Sequence, residues 1–471
     1  MHSQTDEEKP LFVKDLAEGR TRTGLADMRS SILTVTLFDF DGAIDVDESK
    51  EACFVTEKGE ILTLHNYFAG GRGWRQGSGA SVWNNTIQAN QMVLGPDPWK
   101  ENDLLRRCTF KVEGASDLLH NVERFEAIEQ AEFGNMPALD VFTIAADGAH
   151  VTLTHDVRGG GFNRRATSIE PKFVIEFDVP QTIAVARTMV NNVVAFLSLA
   201  QVRRLSIDEF TISRLTEAEI DAAIKADKRL PHNHTVRFYS TDKLELGKQP
   251  WVGRAFAHVR KPEDVATFAA CLKIWLERGP EWRAATSLML ENFLLAREIS
   301  GNRLLSATRW IERIPGTVGK TAISDAHIDQ IVAAAIEKAS DLGHAGLERR
   351  MRGSLKAIGA ESNQTRIQRI VDGLGPLMTT KVARRGLVYG TVKGRDFRGQ
   401  TAHGRVSLKT EREQSDFELA IAATECLAYL LMLSDFPLDI DAIRRVDSST
   451  LPRHFSAFWQ HYFTEWGVAS E

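Results

Sequence analysis

The 471-residue chain has little cysteine and no long uninterrupted apolar run. Its four cysteines, Cys53, Cys108, Cys271 and Cys426, are scattered and form no CxxC pair, which argues against a disulfide scaffold or a zinc–thiolate site. No apolar run approaches the roughly 20 residues that a membrane helix needs. The first residues also lack the basic and apolar segments of a signal peptide. These absences predict a cytoplasmic protein with no membrane segment.

The net charge of −5 gives no overall signal for nucleic-acid binding, but the charge is unevenly distributed. Residues 349–412 carry fifteen Lys or Arg against four Asp or Glu, a net charge of +11. A basic segment inside an acidic chain is expected of a phosphate-binding surface. The same charges would also suit a solvated surface whose acids lie on neighbouring elements, and the charge alone does not decide between the two interpretations.

The front of the chain is β-rich and the rest is helical. Runs of apolar and β-branched residues with turn signals predict strands at 31–44, 52–64, 138–157 and 173–180. The periodicity then changes and predicts helices at 182–200 and 264–279. Gly279-Pro280 ends the second helix. We therefore expect an α+β multidomain protein, with a β-rich N-terminal domain over residues 1–280 and an all-α domain over 281–471.

Four helices are predicted in the second domain, at 287–314, 324–342, 365–374 and 415–436. The last of these is apolar almost all round, which predicts a helix buried in a bundle or at a subunit interface.

Several other motifs carry less information. "IPGTVGKT" (314–321) has Ile314 where a phosphate-binding P-loop needs glycine, and it follows a helix rather than a strand. His232 and His234 form an HxH pair without visible partners. Aromatic residues near the glycine-rich stretch 68–79 could stack on a base or sugar, although core packing is their commoner role; they are Tyr67, Trp74, Trp83 and Trp99. No metal site and no cofactor is indicated.

The stretch "GRDFRGQTAHGRVSLK" (394–409) is the strongest candidate site. Arg398 and His403 lie five positions apart, which on one regular helix places them about 140° apart. They can converge only if Arg398 lies on a turn before the following helix. Gly399 would make such a turn easier.

This stretch resembles the hallmark of the HEPN ribonuclease domains, in which four to six residues separate an arginine from a histidine. "RGQTAHG" has Arg398, Ala402, His403 and Gly404 in the corresponding positions. "LENFLLAREISGNRLLSATRWIE" (290–312) resembles the first core helix of that domain in the ApeA-type abortive-infection, or anti-phage defence, proteins. "CTFKVEGASDLL" (108–119) and the stretch at 177–200 resemble their β-rich N-terminal domain.

The resemblance implies an all-α HEPN-like domain and a metal-independent endoribonuclease toxin that cleaves RNA. It implies Arg398 and His403 as the catalytic residues, because histidine can take or give a proton near neutral pH and arginine binds phosphate oxygens as a fixed fork. It also implies a homodimer that brings two motifs to one cleft, and an N-terminal domain that senses a phage-derived or cellular trigger. The supporting or RNA-binding residues would be Lys393, Arg395, Gly399, Gln400, Thr401 and Arg405.

Gly399 departs from the family pattern, which usually has a polar residue after the arginine. Gln400 or Thr401 could take over the role of that polar residue. Two alternatives therefore stay open: a catalytically silent HEPN module that binds RNA or a partner protein, and a sugar- or nucleotide-binding front domain with a helical dimerisation tail.

Overall fold

A computed structural model describes most of the chain, in ranges separated by short gaps. The described residues are 11–15, 22–28, 32–39, 52–76, 81–131, 135–159, 166–227, 234–240, 255–295, 299–319, 323–358, 361–377, 381–402 and 408–447. The chain divides into two compact units. The first comprises residues 1–197, 205–250 and 258–277, and the second 198–204, 251–257 and 278–471. The first unit contains the strands and the second is helical, so the α+β class and the order of its parts are as expected.

The strand unit contains one antiparallel sheet, in the order β3-β2-β1-β4-β5-β6-β12-β11-β7-β10-β9-β8. Because β3 also pairs with β6, the first six strands close into a barrel. The strands among the described residues are β1 (Leu11–Asp15), β2 (Arg22–Asp27), β3 (Leu33–Asp39), β4 (Ala52–Thr56), β5 (Ile61–Gln76), β6 (Ser81–Gly95), β7 (Leu104–Glu113), β8 (Phe142–Ala146), β9 (Ala149–Gly159), β10 (Ala166–Thr182), β11 (Ser206–Ser213) and β12 (Val236–Ser240).

The barrel interior is filled by apolar side chains from strands in which apolar and polar residues alternate. In β3, Leu33, Val35 and Leu37 are buried while the residues between them are partly exposed. Successive side chains of a strand point to opposite faces, so this period-two pattern puts one face inside. The buried barrel cluster consists of Val13, Ala26, Leu33, Val35, Leu37, Phe54, Leu62, Leu64, Ile87, Ala89, Met92 and Leu94.

Five helices accompany these strands. They are α1 (Ser116–Leu119), α2 (Val122–Gln130), α3 (Ile183–Gln201), α4 (Glu217–Asp227) and α5 (Pro262–Leu276). Within the described part of the chain, α3 alone is long and apolar enough to cross a membrane, and 67% of its apolar window is buried in the protein. That burial is typical of a core helix.

Eight further helices lie between residues 283 and 447 of the described chain. They are α6 (Arg283–Leu295), α7 (Gly301–Arg313), α8 (Asp325–Asp341), α9 (Glu348–Ile358), α10 (Asn363–Asp372), α11 (Lys381–Ala402), α12 (Glu411–Leu433) and α13 (Ile440–Asp447). The prediction of one continuous helix over 287–314 is wrong. Helix α6 ends at Leu295, and Ser300 caps α7 by accepting a hydrogen bond from the Arg303 N–H, since a serine at this position satisfies one of the unpaired N–H groups of a new helix.

Helix α12 is the predicted apolar helix, and most of its residues are buried within the helical unit of a single chain. Thr410 and Glu413 form a capping box at its start. Of the two environments considered for this helix, a bundle interior therefore accounts for its apolar surface. The expected homodimer draws no support from it.

Helix α11 lies directly against α12 because its facing positions are glycines. A Cβ atom on Gly390 would lie 2.4 Å from Ala423 Cβ. One on Gly394 would lie 2.6 Å from Thr424 Oγ1. Together with Gly386, these glycines recur every fourth residue, a spacing that puts them on one helix face. This small-residue face compensates for the low intrinsic helix propensity of glycine.

A buried ion pair joins α7 to α12. Arg303 donates from Nε and Nη2 to the two carboxylate oxygens of Glu425, each at 2.6 Å. Burial raises the pKa of Glu425, and the Arg303 guanidinium opposes that rise. Beside this pair, Leu304 of α7 packs against Phe417 and Ile421 of α12. The ion pair and the apolar cluster together set the register between α7 and α12.

The glycine contacts predict a position-specific loss of stability. We expect Gly390→Ala to lower the free energy of unfolding by about 1–3 kcal/mol, because the added methyl group meets the rigid Ala423 Cβ. Gly399 has open space around it, so Gly399→Ala should be neutral or more stable by up to about 1 kcal/mol. Urea denaturation of both variants checks this, and an equal effect of the two substitutions would contradict the close helix packing.

The Arg303–Glu425 pair predicts a pH-dependent loss. Arg303→Met leaves a buried carboxylate without its cation and should cost about 3–5 kcal/mol. Removing the cation raises the pKa of Glu425 further, so ionising it in the fold becomes less favourable. The loss should therefore grow as the pH rises from about 5 to about 8.

Urea denaturation at the two pH values measures this loss. The double variant Arg303→Met/Glu425→Leu should recover much of the stability, because it removes the stranded charge. If the loss of unfolding free energy in Arg303→Met stays constant with pH, Arg303 does not offset the buried charge of Glu425.

Candidate nucleic-acid interface

The basic motif lies at the end of helix α11 rather than before a helix. Arg398, Gly399, Gln400 and Thr401 all belong to α11, which continues to Ala402. The expected turn at Gly399 is therefore wrong: this glycine does not adopt a positive φ, and Thr401 Oγ1 donates 2.9 Å to the Phe397 carbonyl, one helical turn earlier. Thr401 packs against Gly301 at the start of α7, and the chain stays helical here. His403, Gly404 and Arg405 lie outside the described residues.

Two motif arginines share one carboxylate oxygen of helix α7. Arg398 Nη1 donates to Glu312 Oε1 at 2.5 Å, and Arg395 Nη2 lies 3.5 Å from the same atom. Residues three apart on a helix are neighbours on its surface, so α11 presents both arginines on one side. All three side chains are partly exposed, with 24–32% of each accessible. The ion pairs therefore lie at the surface of the helical unit.

Helix α10 adds a third arginine. Arg366 donates from Nε to the Thr317 carbonyl at 2.6 Å. Burial lowers the pKa of Arg366, and the positive charge of Arg395 lowers it further while Glu312 opposes the shift. Arg366 therefore feels the charges of both residues. We call Glu312, Arg366, Arg395 and Arg398 the arginine cluster.

The arginine cluster has an excess of positive charge. With Arg369 and its partner Glu361, which also act on Arg366, four guanidinium groups face two carboxylates among the described residues, which leaves two positive charges at this surface site. A guanidinium remains charged at any pH at which the protein is folded, and its planar fork matches the oxygens of a phosphate. The cluster can therefore bind a phosphate group, in competition with the carboxylate of Glu312.

Other basic residues of the +11 segment are engaged elsewhere. Arg369 pairs with Glu361 at 2.9 Å, and Arg352 lies 3.4 Å from Glu348. Lys393 lies over the ring of Tyr389, with Nζ 5.7 Å from the centroid. Part of the basic segment is thus neutralised by neighbouring acids, as the solvated-surface interpretation requires. In the arginine cluster, by contrast, the described residues leave positive charge in excess.

The supporting residues named from the motif do not all lie together. Lys393 is about 140° around α11 from Arg398, and Gln400 about 160°. Gln400 is exposed. Thr401 instead packs against the start of α7, where a Cβ on Gly301 would lie 2.5 Å from Thr401 Cγ2. Arg395 is therefore the supporting residue that accompanies Arg398.

Metal binding has no site among the described residues: no three His, Cys, Asp or Glu side chains lie close enough together to hold an ion. His232 of the HxH pair lies outside the described residues.

Two members of the arginine cluster could not be predicted from the sequence. Glu312 ends the stretch that resembles a HEPN core helix, but a single glutamate near the end of a helix is unremarkable. Arg366 lies in a short helix 32 positions before Arg398. Only the packing of α7, α10 and α11 brings them to the motif.

Comparison with known proteins finds no relative: no protein-family model, no curated protein and no solved structure matches the chain. The HEPN resemblance thus rests on the motif and the adjoining stretches alone.

The shared carboxylate predicts the effect of removing its charge. Glu312→Gln keeps the side-chain shape but frees the arginines for phosphate, so we expect it to bind a short single-stranded RNA roughly two- to five-fold more tightly at low salt. The gain should shrink as salt is added. Fluorescence anisotropy in a His403→Ala background measures binding without cleavage.

Glu337→Gln makes the same charge change on an exposed position of α8 and should leave the RNA affinity unchanged. Equal tightening by both variants, or none by Glu312→Gln, would contradict the competition at the arginine cluster.

Proposed function

We propose that the protein is a metal-independent endoribonuclease effector of the HEPN type, acting in abortive infection, with Arg398 and His403 as its catalytic residues. One observation carries the proposal: Arg398 lies in a cluster with excess positive charge at the end of the helix that leads directly to His403. His403 is the next residue in the sequence after the end of that helix. The substrate is RNA, and the protein acts in the cytoplasm.

The chemistry needs a base and a cation. His403 takes the proton of a ribose 2′-hydroxyl, and the 2′-oxygen attacks the adjacent phosphorus. The bond from phosphorus to the 5′-oxygen breaks, which yields a 2′,3′-cyclic phosphate and a 5′-hydroxyl once that oxygen is protonated. Arg398 stabilises the charge that builds on the phosphate oxygens, and Arg395 adds to it.

A second proton donor is required, because one histidine cannot act as base and acid at the same moment. A second copy of the chain would supply it from its own His403, as the family resemblance implies. The strand unit would then sense the infection cue or restrain the toxin.

A silent RNA-binding module is the second candidate, and the Arg398–Glu312 ion pair favours it. In that arrangement the arginine is occupied by a carboxylate. Gly399 also supplies no side chain to orient the site. Such a protein would bind RNA in a salt-dependent manner and release no products.

Removal of the catalytic pair tests the proposal. Purified protein is incubated with labelled single-stranded RNA in EDTA, and the double variant Arg398→Ala/His403→Ala should cleave at least about 100-fold more slowly than the wild type, because general-base catalysis contributes on that order. Induced expression of the wild type, but not of the double variant, should arrest growth.

Arg349→Ala is the matched control, because it removes one exposed arginine of the basic segment from helix α9. Its cleavage rate should stay near that of the wild type. Cleavage by the double variant at the wild-type rate would refute the nuclease assignment, and salt-dependent RNA binding by a wild type that gives no products would favour the silent module.

A further inference from the structure

Strands β5 and β6 present an exposed pair of tryptophans. Trp74 and Trp83 are directly opposite one another in the register of the two strands. Their ring centroids lie 6.4 Å apart with planes tilted by 48°. Trp74 is 50% exposed, which is unusual for so large an apolar side chain. The other two aromatics noted nearby are less accessible: Trp99 is buried, and Tyr67 packs on the barrel cluster.

Strand alternation shows which residues share this face. Trp83, Asn85 and Ile87 are two residues apart along β6, so their side chains lie on one side of the sheet. Asn85 and Ile87 are buried, and Ile87 belongs to the barrel cluster, so the tryptophan pair continues the inward-facing side of the strands. Arg72 is opposite Asn85 and is exposed. Directly paired residues lie on the same side, so Arg72 flanks the tryptophan pair.

Phe68 lies on the other side of these strands. It is opposite Gln88, which is an odd number of residues from Trp83 along β6. Phe68 is 45% exposed, nearly as accessible as Trp74. The chain thus offers an exposed aromatic side chain on each side of the same strand pair.

Arg72 supplies a positive charge on this side of β5. Strands β5 and β6 contain no Asp or Glu. Among the described residues, the acid nearest in register is Asp39, which pairs with Trp83 across β3 and β6. Its carboxylate is bound by Arg22, whose Nε lies 3.1 Å from Oδ2.

We propose that Trp74, Trp83 and Arg72 form a stacking platform for the bases of a single-stranded nucleic acid. Exposed aromatic faces beside cationic side chains are what such strands bind, because every base has a π face and every nucleotide carries a phosphate. Carboxylates, which accept hydrogen bonds from sugar hydroxyls, are absent from the two strands. The platform belongs to the strand unit and does not depend on nuclease activity.

Binding of a labelled short oligodeoxythymidine tests the platform. This probe lacks the 2′-hydroxyl and cannot undergo the cleavage proposed above, so its binding is independent of that proposal. We expect Trp74→Ala to weaken binding by about five-fold or more, as expected for the loss of one stacked base. Trp74→Phe should retain most of the affinity, and the oligonucleotide should quench less tryptophan fluorescence in Trp74→Ala than in the wild type.

Phe68→Ala is the matched control, since it removes an equally exposed aromatic ring from the opposite side of the strands. It should bind the oligonucleotide like the wild type, and circular dichroism should show all variants folded. Wild-type affinity in Trp74→Ala, or equal losses in Trp74→Ala and Phe68→Ala, would overturn the proposal. Quenching by a neutral maltooligosaccharide in place of the oligonucleotide would overturn it in favour of a carbohydrate site.

Discussion

The helical unit depends on the close approach of α11 to α12. At Gly390 and Gly394 no side chain separates the two helices, and the neighbouring positions on α12 are Ala423 and Thr424. Any larger residue would push α11 outward and rotate the side chains that it carries. Because α11 is held this closely, Phe397 packs on the Leu304–Phe417–Ile421 cluster. Arg398, the next residue along α11, donates a hydrogen bond to Glu312.

The arginine cluster has a consequence for how a substrate would bind. The three arginines of the cluster repel one another, and Glu312, which contacts Arg395 and Arg398, relieves only part of that repulsion. A phosphodiester of RNA carries one negative charge, as the Glu312 carboxylate does, so the two compete for the same guanidinium groups. Since these side chains are partly exposed, solvent and salt weaken every one of these interactions. The same arrangement serves a nuclease and a silent RNA-binding module, which differ in what happens after the phosphate is bound.

Local patterns predicted much of the fold. Alternation of apolar residues indicated β3 and β9, because a strand with one buried face has an apolar residue at every second position. The apolar run at 415–436 indicated α12, because a helix buried on all sides is apolar throughout. Helix α11 was not predicted, since four glycines in 22 residues lower helix propensity. Their spacing favours a helix only when a partner helix packs closely against the glycine face. The break before Gly301 was missed for a related reason: the apolar stripe continues across it.

The site was predictable only in part. The motif identified Arg398 and Arg395, because both lie in a short basic stretch with a recognisable spacing. The turn inferred from Gly399 was wrong, since packing overrides the conformational freedom of a single glycine. Glu312 and Arg366 join the site through tertiary contacts between three helices, and no local pattern encodes such contacts. The geometry of His403 lies outside the described residues, so its role stays a prediction from the motif.

We propose that the protein cleaves RNA by attack of a neighbouring 2′-hydroxyl. The most direct measurement is mass spectrometry of the products from a DNA oligonucleotide that carries a single ribonucleotide, incubated with the wild type in EDTA. We expect one cut, on the 3′ side of the ribonucleotide, with a 2′,3′-cyclic phosphate on one product and a 5′-hydroxyl on the other. Cleavage of the all-deoxy oligonucleotide, or 5′-phosphate ends formed only when a divalent metal is added, would contradict it.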